Sequence, residues 1–126
     1  MNLNPDCIRD ILLTVEANDF GIHTTLEKLC DNLPDYENNE IHYTCLKLSE
    51  GGYLELTTVL MSNSLMLDIK SIDDLSFNGH EFLATIRSET NWSKTKSVAN
   101  EVGSFSLDIL SKIAISVVSS MINKHI

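Results

Sequence analysis

Residues 39–72 read NEIHYTCLKLSEGGYLELTTVLMSNSLMLDIKSI, and a change of period inside this stretch decides the fold. Ile41, Cys45 and Leu48 fall on one face at helical spacing, with Thr44 beside them. This predicts a helix from about Asn39 to Glu50. Gly51-Gly52 ends it, because glycine takes the left-handed cap conformation cheaply. Tyr53–Leu60 and Leu65–Ile72 then lose the helical spacing and become rich in β-branched and apolar residues. Two extended runs around a polar turn at Ser62, Asn63 and Ser64 predict a β-hairpin.

Helices are expected on both sides. Asn4-Pro5-Asp6 is a start signal, with a capping side chain, a proline suited to the first turn and an acid that complements the helix dipole. Ile8, Ile11, Leu12 and Val15 supply the apolar stripe, and the segment through Gly21 ends this first helix. A second, shorter helix is predicted from about Thr24 to Asn32, with Leu26, Leu29 and Cys30 inward and Pro34 as the stop. After the hairpin, Asp73-Asp74 reads as a solvated turn. Ser76 caps a fourth helix, which turns Phe82, Leu83 and Ile86 inward. Trp92, Val98, Ala99 and Val102 mark a fifth, closed by Gly103, and Ser106 caps a sixth from Leu107 to about Lys124. Three helices, a hairpin and three helices predict a mostly helical α+β fold. Its first part is a winged helix-turn-helix, with the third helix as recognition helix and the hairpin as wing. One domain spans 1–126: a winged-helix part over about 1–90 and a C-terminal helical extension over about 91–126.

A chain of 126 residues, 43% of them hydrophobic, is long enough to bury a real core. No apolar run reaches membrane-spanning length, and Asp6 and Arg9 precede any apolar stretch, unlike a signal peptide. Cys7, Cys30 and Cys45 lack paired spacing and read as buried reduced thiols, which points to the cytoplasm. The net charge is −9 and uneven: residues 1–60 hold 11 acids and 3 bases, residues 61–126 hold 7 acids and 6 bases.

The segments DCIRDILLTVE, HYTCLKLSEGGYLE, LSFNGHEFLATIRSETNWSKTK and SFSLDILSKIAISVV resemble a family of small proteins encoded by bacteriophages, prophages and other mobile elements. GHEFLATIRSETNWSK, residues 79–94, is the most specific piece. The resemblance implies an N-terminal winged-helix part and a bacterial host cell, and it carries no reaction with it. Two departures stand out: Ser76 replaces a usual threonine, and the order Leu46-Lys47 puts an apolar residue on the outer face of the third helix.

Catalytic and metal chemistry find no footing in the spacing. His23, His42, His80 and His125 form no HExxH pair, and His80-Glu81 point about 100° apart on a helix. No nucleophile elbow or phosphate-binding glycine loop is present. The expectation is a protein that is no enzyme, with no cofactor and no metal.

Macromolecular binding remains. With Ile41, Cys45 and Leu48 inward, the third helix presents Asn39, Tyr43, Leu46, Lys47 and Glu50. A DNA-reading helix favours Arg, Lys, Asn and Gln, and DNA affinity comes largely from cations on phosphates. This face offers one lysine, and the wing tip offers no Arg or Lys. Arg87, Lys94 and Lys96 lie away from it and read as solvated charge. A protein partner is therefore expected, bound by a regulator or an anti-defence inhibitor of the anti-CRISPR kind. The alternative is a dimeric winged-helix transcriptional regulator. The last helix is apolar over more than one stripe, and Leu110, Ile113, Val117 and Met121 are the residues expected to pair two copies.

Overall fold

The computed structural model describes residues 1–60 and 67–125. Their order is α1 (Pro5–Glu16), α2 (Leu26–Asn32), α3 (Asn38–Glu50), β1 (Leu54–Val59), β2 (Asp68–Leu75), α4 (Phe77–Ile86), α5 (Glu89–Val102) and α6 (Leu107–Lys124). The fold is α+β and mostly helical, with β1 and β2 antiparallel. The expected wing tip, Ser62, Asn63 and Ser64, lies outside the described residues.

Short polar side chains start the helices. Asn4, Thr25, Ser76, Ser88 and Ser106 each accept a hydrogen bond from a backbone N–H in the first turn. The second helix starts later than expected because Thr24 is used elsewhere. Its N–H and C=O bond the C=O and N–H of Ile72 at 3.0 and 2.7 Å, so a piece of the α1–α2 connection lies along β2.

The second strand is the main correction. It runs on to Leu75, so Asp73 and Asp74 belong to a strand and not to a turn. Its buried residues are Ile69, Ile72 and Leu75, spaced by three. A regular strand alternates by two. Register explains the difference. Leu54, Leu56 and Thr58 pair with Leu75, Ile72 and Ile69, and each interval on β2 holds one extra residue, first Asp73 and then Lys70. These are β-bulges, each inserting one residue into one strand. They keep three apolar side chains on the core face while hiding the strand's period.

α1 lies across the centre of the domain, with Cys7, Ile8, Ile11, Leu12 and Val15 buried against α3, α4 and β2. Arg9 is buried with them. Its Nε donates to the Ile86 carbonyl at 2.9 Å and its Nη2 to the Arg87 carbonyl at 2.6 Å, and Nη1 lies 3.5 Å from Glu89. The guanidinium thus fills the carbonyl-rich end of α4, at the elbow where α5 begins. One turn earlier, Asp6 accepts from the Trp92 indole and from Lys96, both at 2.9 Å. Arg87 closes the third side on Glu16. The three bases expected to be ordinary solvated charge thus divide, since Arg87 and Lys96 hold α1 to the C-terminal helices.

α6 packs on α5 and α4, and Leu110 and Ala114 are its buried residues. Leu110 is a core residue with no exposed surface, so it cannot contribute to a dimer contact as expected; the fold itself covers it. Ile113, Val117 and Met121 are half-buried.

The junction before α4 is tight. A Cβ on Gly79 would lie 2.0 Å from the Tyr53 carbonyl oxygen. Ser76 accepts from the Gly79 N–H and donates to the Gly52 carbonyl, tying α4 to the α3–β1 turn. Gly79→Ala is expected to lower stability by more than about 3 kcal/mol, because backbone must move. Arg9→Ala should cost about 3 kcal/mol by leaving buried carbonyls unpaired. Urea midpoints measure both, and a Gly79→Ala midpoint equal to wild type would contradict the packing.

Candidate interaction surface

The outer face of α3 carries Asn39, Tyr43, Leu46, Lys47 and Glu50, as expected. Asn39 and Glu50 are exposed, and Tyr43, Leu46 and Lys47 are half-buried. Leu46 packs its stem against the core. Lys47 reaches one turn along the helix to Glu50 at 2.9 Å, and its ammonium lies 5.4 Å from the centre of the Tyr43 ring. The Glu50 hydrogen bond raises the Lys47 pKa, and the lysine stays charged but internally neutralised. Tyr43, Lys47 and Glu50 are therefore one ordered unit rather than three free side chains.

His42, on the same helix, is buried, and its Nε2 donates to the Leu67 carbonyl at 2.8 Å, fastening α3 to the approach of β2. Cys7, Cys30 and Cys45 are buried and free. Burial pushes the Cys7 thiol up to about 11, and raises Cys30 and Cys45 as well, so all three are protonated at neutral pH.

The densest polar cluster was not anticipated. The bulge at Asp73 turns its carboxylate towards the α1–α2 connection. Oδ1 accepts from Ser71 Oγ and contacts His23 Nδ1, both at 2.6 Å, and Oδ2 accepts from Thr57 Oγ1 at 2.7 Å. Burial opposes ionisation of Asp73, but the donors Ser71, Thr57 and His23 prevail and hold its carboxyl below the usual range. The order of groups matters chemically. A nucleophilic triad needs histidine between serine and acid; here the acid lies between Ser71 and His23, so no hydroxyl is activated. His80 and Glu81 are exposed on α4. Among the described residues, no group of three or more His, Cys, Asp or Glu side chains is placed to hold a metal.

Two apolar features also escaped the periodicity. Phe20 is 100% exposed and Ile22 is 52% exposed in the α1–α2 connection, beside His23. A half-open groove of about 450 Å³ runs between the α3–β1 turn, α4 and α6, where Tyr53, Phe82, Ile115 and Val118 line its apolar part and Glu81 its charged edge.

Residues 2–106 match the model of a protein family described as Hypothetical protein (DUF2513). The chain belongs to this family. The match runs from the N-terminus through α5 to the cap of α6, so the α1–α4–α5 lock and the Asp73 cluster both fall within the DUF2513 region. An uncharacterized protein of Haemophilus influenzae (strain Rd) is 27% identical over 123 residues, covering 97% of this chain and 99% of its own. No solved structure matches. No helix among the described residues is long and apolar enough to cross a membrane.

Asp73→Asn keeps the shape and removes the charge that three donors converge on. It should cost about 1–3 kcal/mol at neutral pH. A lowered acid pKa contributes stability that is complete above the ordinary value of 3.8 and disappears as pH falls through the lowered one. Urea midpoints followed from neutral pH down to acid should therefore converge for wild type and Asp73→Asn; parallel curves would remove the carboxylate from the account.

Proposed function

We propose that this chain is a non-catalytic binding protein with a winged-helix N-terminal part, that its partner is a protein, and that it acts as a regulator or anti-defence inhibitor inside a bacterial host. The winged-helix reading is supported by the order of α1, α2, α3 and the β1–β2 hairpin. The Thr24–Ile72 bridge adds support, since it ties the hairpin to the helices at the α1–α2 connection. On this reading α5 and α6 form a helical extension of the same domain. The phage, prophage or mobile-element setting follows from the sequence resemblance.

One observation carries the choice of partner. Lys47 is the single Lys or Arg of α3, and it is already engaged by Glu50 and Tyr43. To contact a phosphate it must leave both, while Glu40 and Glu50 on the same helix repel the DNA. For a protein surface the same group is favourable. Tyr43 and Leu46 offer apolar area at the centre, of the kind found in interface cores. The acids around them steer basic partners, among them the nucleic-acid channels of host effectors.

Affinity capture from host lysate with Tyr43→Ala as the control tests this. The variant should retain its urea midpoint and lose the captured protein, with about 10-fold or greater weakening if Tyr43 is a central contact. Leu46→Asp should also lose it, though its stem reaches the core and its stability must be measured alongside. The DNA reading makes the opposite forecast. Glu50→Gln would free Lys47, tighten binding to DNA from the gene's own neighbourhood and steepen its salt dependence by about one counterion. Tight promoter binding with no protein captured would sink the proposal.

A further inference from the structure

α5 and α6 pack on one another, and only residues 103–106 join them, so they form an antiparallel pair. A half-open groove of about 370 Å³ runs along their seam. Its floor is apolar, made by Val98 of α5 with Ile113, Val117 and Met121 of α6. Lys94 and Lys124 also line it, farther from the connection than Val98 and Ile113, and serines fill the rest of the rim without charge. Both lysines are exposed. Four of the chain's nine bases have no ion pair among the described residues, namely Lys28, Lys70, Lys94 and Lys124, and two of these four share this one groove. Glu101 continues the α5 row one turn beyond Val98, towards the connection. The groove therefore has a cationic end, an apolar middle and an acid past its other end.

We infer that this groove is a binding site for a free fatty acid of medium length, its carboxylate between Lys94 and Lys124 and its tail over Met121, Val117 and Ile113. Charge selects the head. Of the chain's 18 acids and 9 bases, residues 89–124 hold 3 acids and 4 bases, which leaves 15 acids and 5 bases for the rest. The helical pair is thus the part of an acidic molecule that an anion can approach. With neither lysine held elsewhere, both can swing onto one carboxylate, while Glu101 turns the head away from the opposite end.

Dimensions select the tail. Ile113 and Lys124 lie eleven residues apart, or about 16 Å along the helix. Spread over that length, 370 Å³ makes a channel of roughly 23 Å² in section, the girth of one extended hydrocarbon chain and far too narrow for a helix about 10 Å across. An extended peptide would set its backbone N–H and C=O groups against an apolar floor, at a cost a hydrocarbon avoids. A phospholipid brings two chains to a channel for one, and an anionic bilayer meets the repulsion of the remaining acids. The site stands apart from α3 and is independent of the partner proposed there.

Titration calorimetry with decanoate, kept below the concentration at which it forms micelles, should show one equivalent bound. The methyl resonances of Val98, Ile113, Val117 and Met121 should shift with it. From hexanoate to decanoate the affinity should rise about twofold per methylene, since a half-open groove covers only part of each, and it should level off once the chain outgrows the groove. Lys94→Glu and Lys124→Glu should each weaken decanoate about 5-fold and leave the urea midpoint unchanged. The double variant should prefer decylammonium to decanoate, the reverse of wild type. Absence of saturable binding overturns the inference, as do methyl shifts confined to the groove beside Tyr53 and Phe82. A double variant that binds decanoate as wild type does removes the lysines from the site. An acidic amphipathic helical peptide that moves the same methyls and binds more tightly than decanoate overturns the choice of ligand.

Discussion

The contact on which the rest depends is the burial of Arg9 of α1 under the elbow between α4 and α5. An α-helix ends with unpaired carbonyls and a partial negative charge, and a buried helix end needs donors from elsewhere. Only Arg87 and Ser88 separate α4 from α5, too little chain to fold back and supply them. Arg9 brings its planar array of N–H groups from a helix 77 residues earlier and bonds the carbonyls of Ile86 and Arg87. Burying a guanidinium is costly unless its hydrogen bonds are made, so this geometry is held tightly. Once the elbow is set, the first turns of α5 meet α1, and Trp92 and Lys96 reach Asp6. α6 then packs on α5. The C-terminal helices are therefore oriented by the first helix of the chain, which explains why residues 79–94 and the start of the sequence belong to one device.

Local chemistry made much of this fold readable. Asn4, Ser76 and Ser106 cap where their spacing to the apolar stripes says they must, and Gly103 closes α5 at φ +85°. What was hidden is long-range or irregular. The second strand escaped because two bulges stretch its inward spacing from two to three, so Ile69, Ile72 and Leu75 imitate no strand pattern. The polar pair Asp73-Asp74 then looks like a turn. Nothing near Asp73 announces that His23, fifty residues away, completes its cluster. The α3 face was legible because helical geometry fixes it. That Lys47 is engaged there follows from a spacing of three to Glu50 that the sequence also contains. On α6 the periodicity marked an excess of apolar positions but not which of them the fold would cover. Leu110 went to the core, while Ile115 and Ile122 were left exposed.

Charge also bears on the surface proposed on α3. Of the nine Lys and Arg residues, five are in ion pairs with Asp or Glu among the described residues: Arg9, Lys47, Arg87, Lys96 and Lys112. Most of the positive charge thus serves internal contacts, while 18 acids set the outer field. Such a field attracts basic surfaces over a Debye length of about 8 Å and beyond it at low salt, and it repels both DNA and a like-charged copy. A basic partner is drawn to the acidic N-terminal half, where residues 1–60 hold 11 acids and 3 bases.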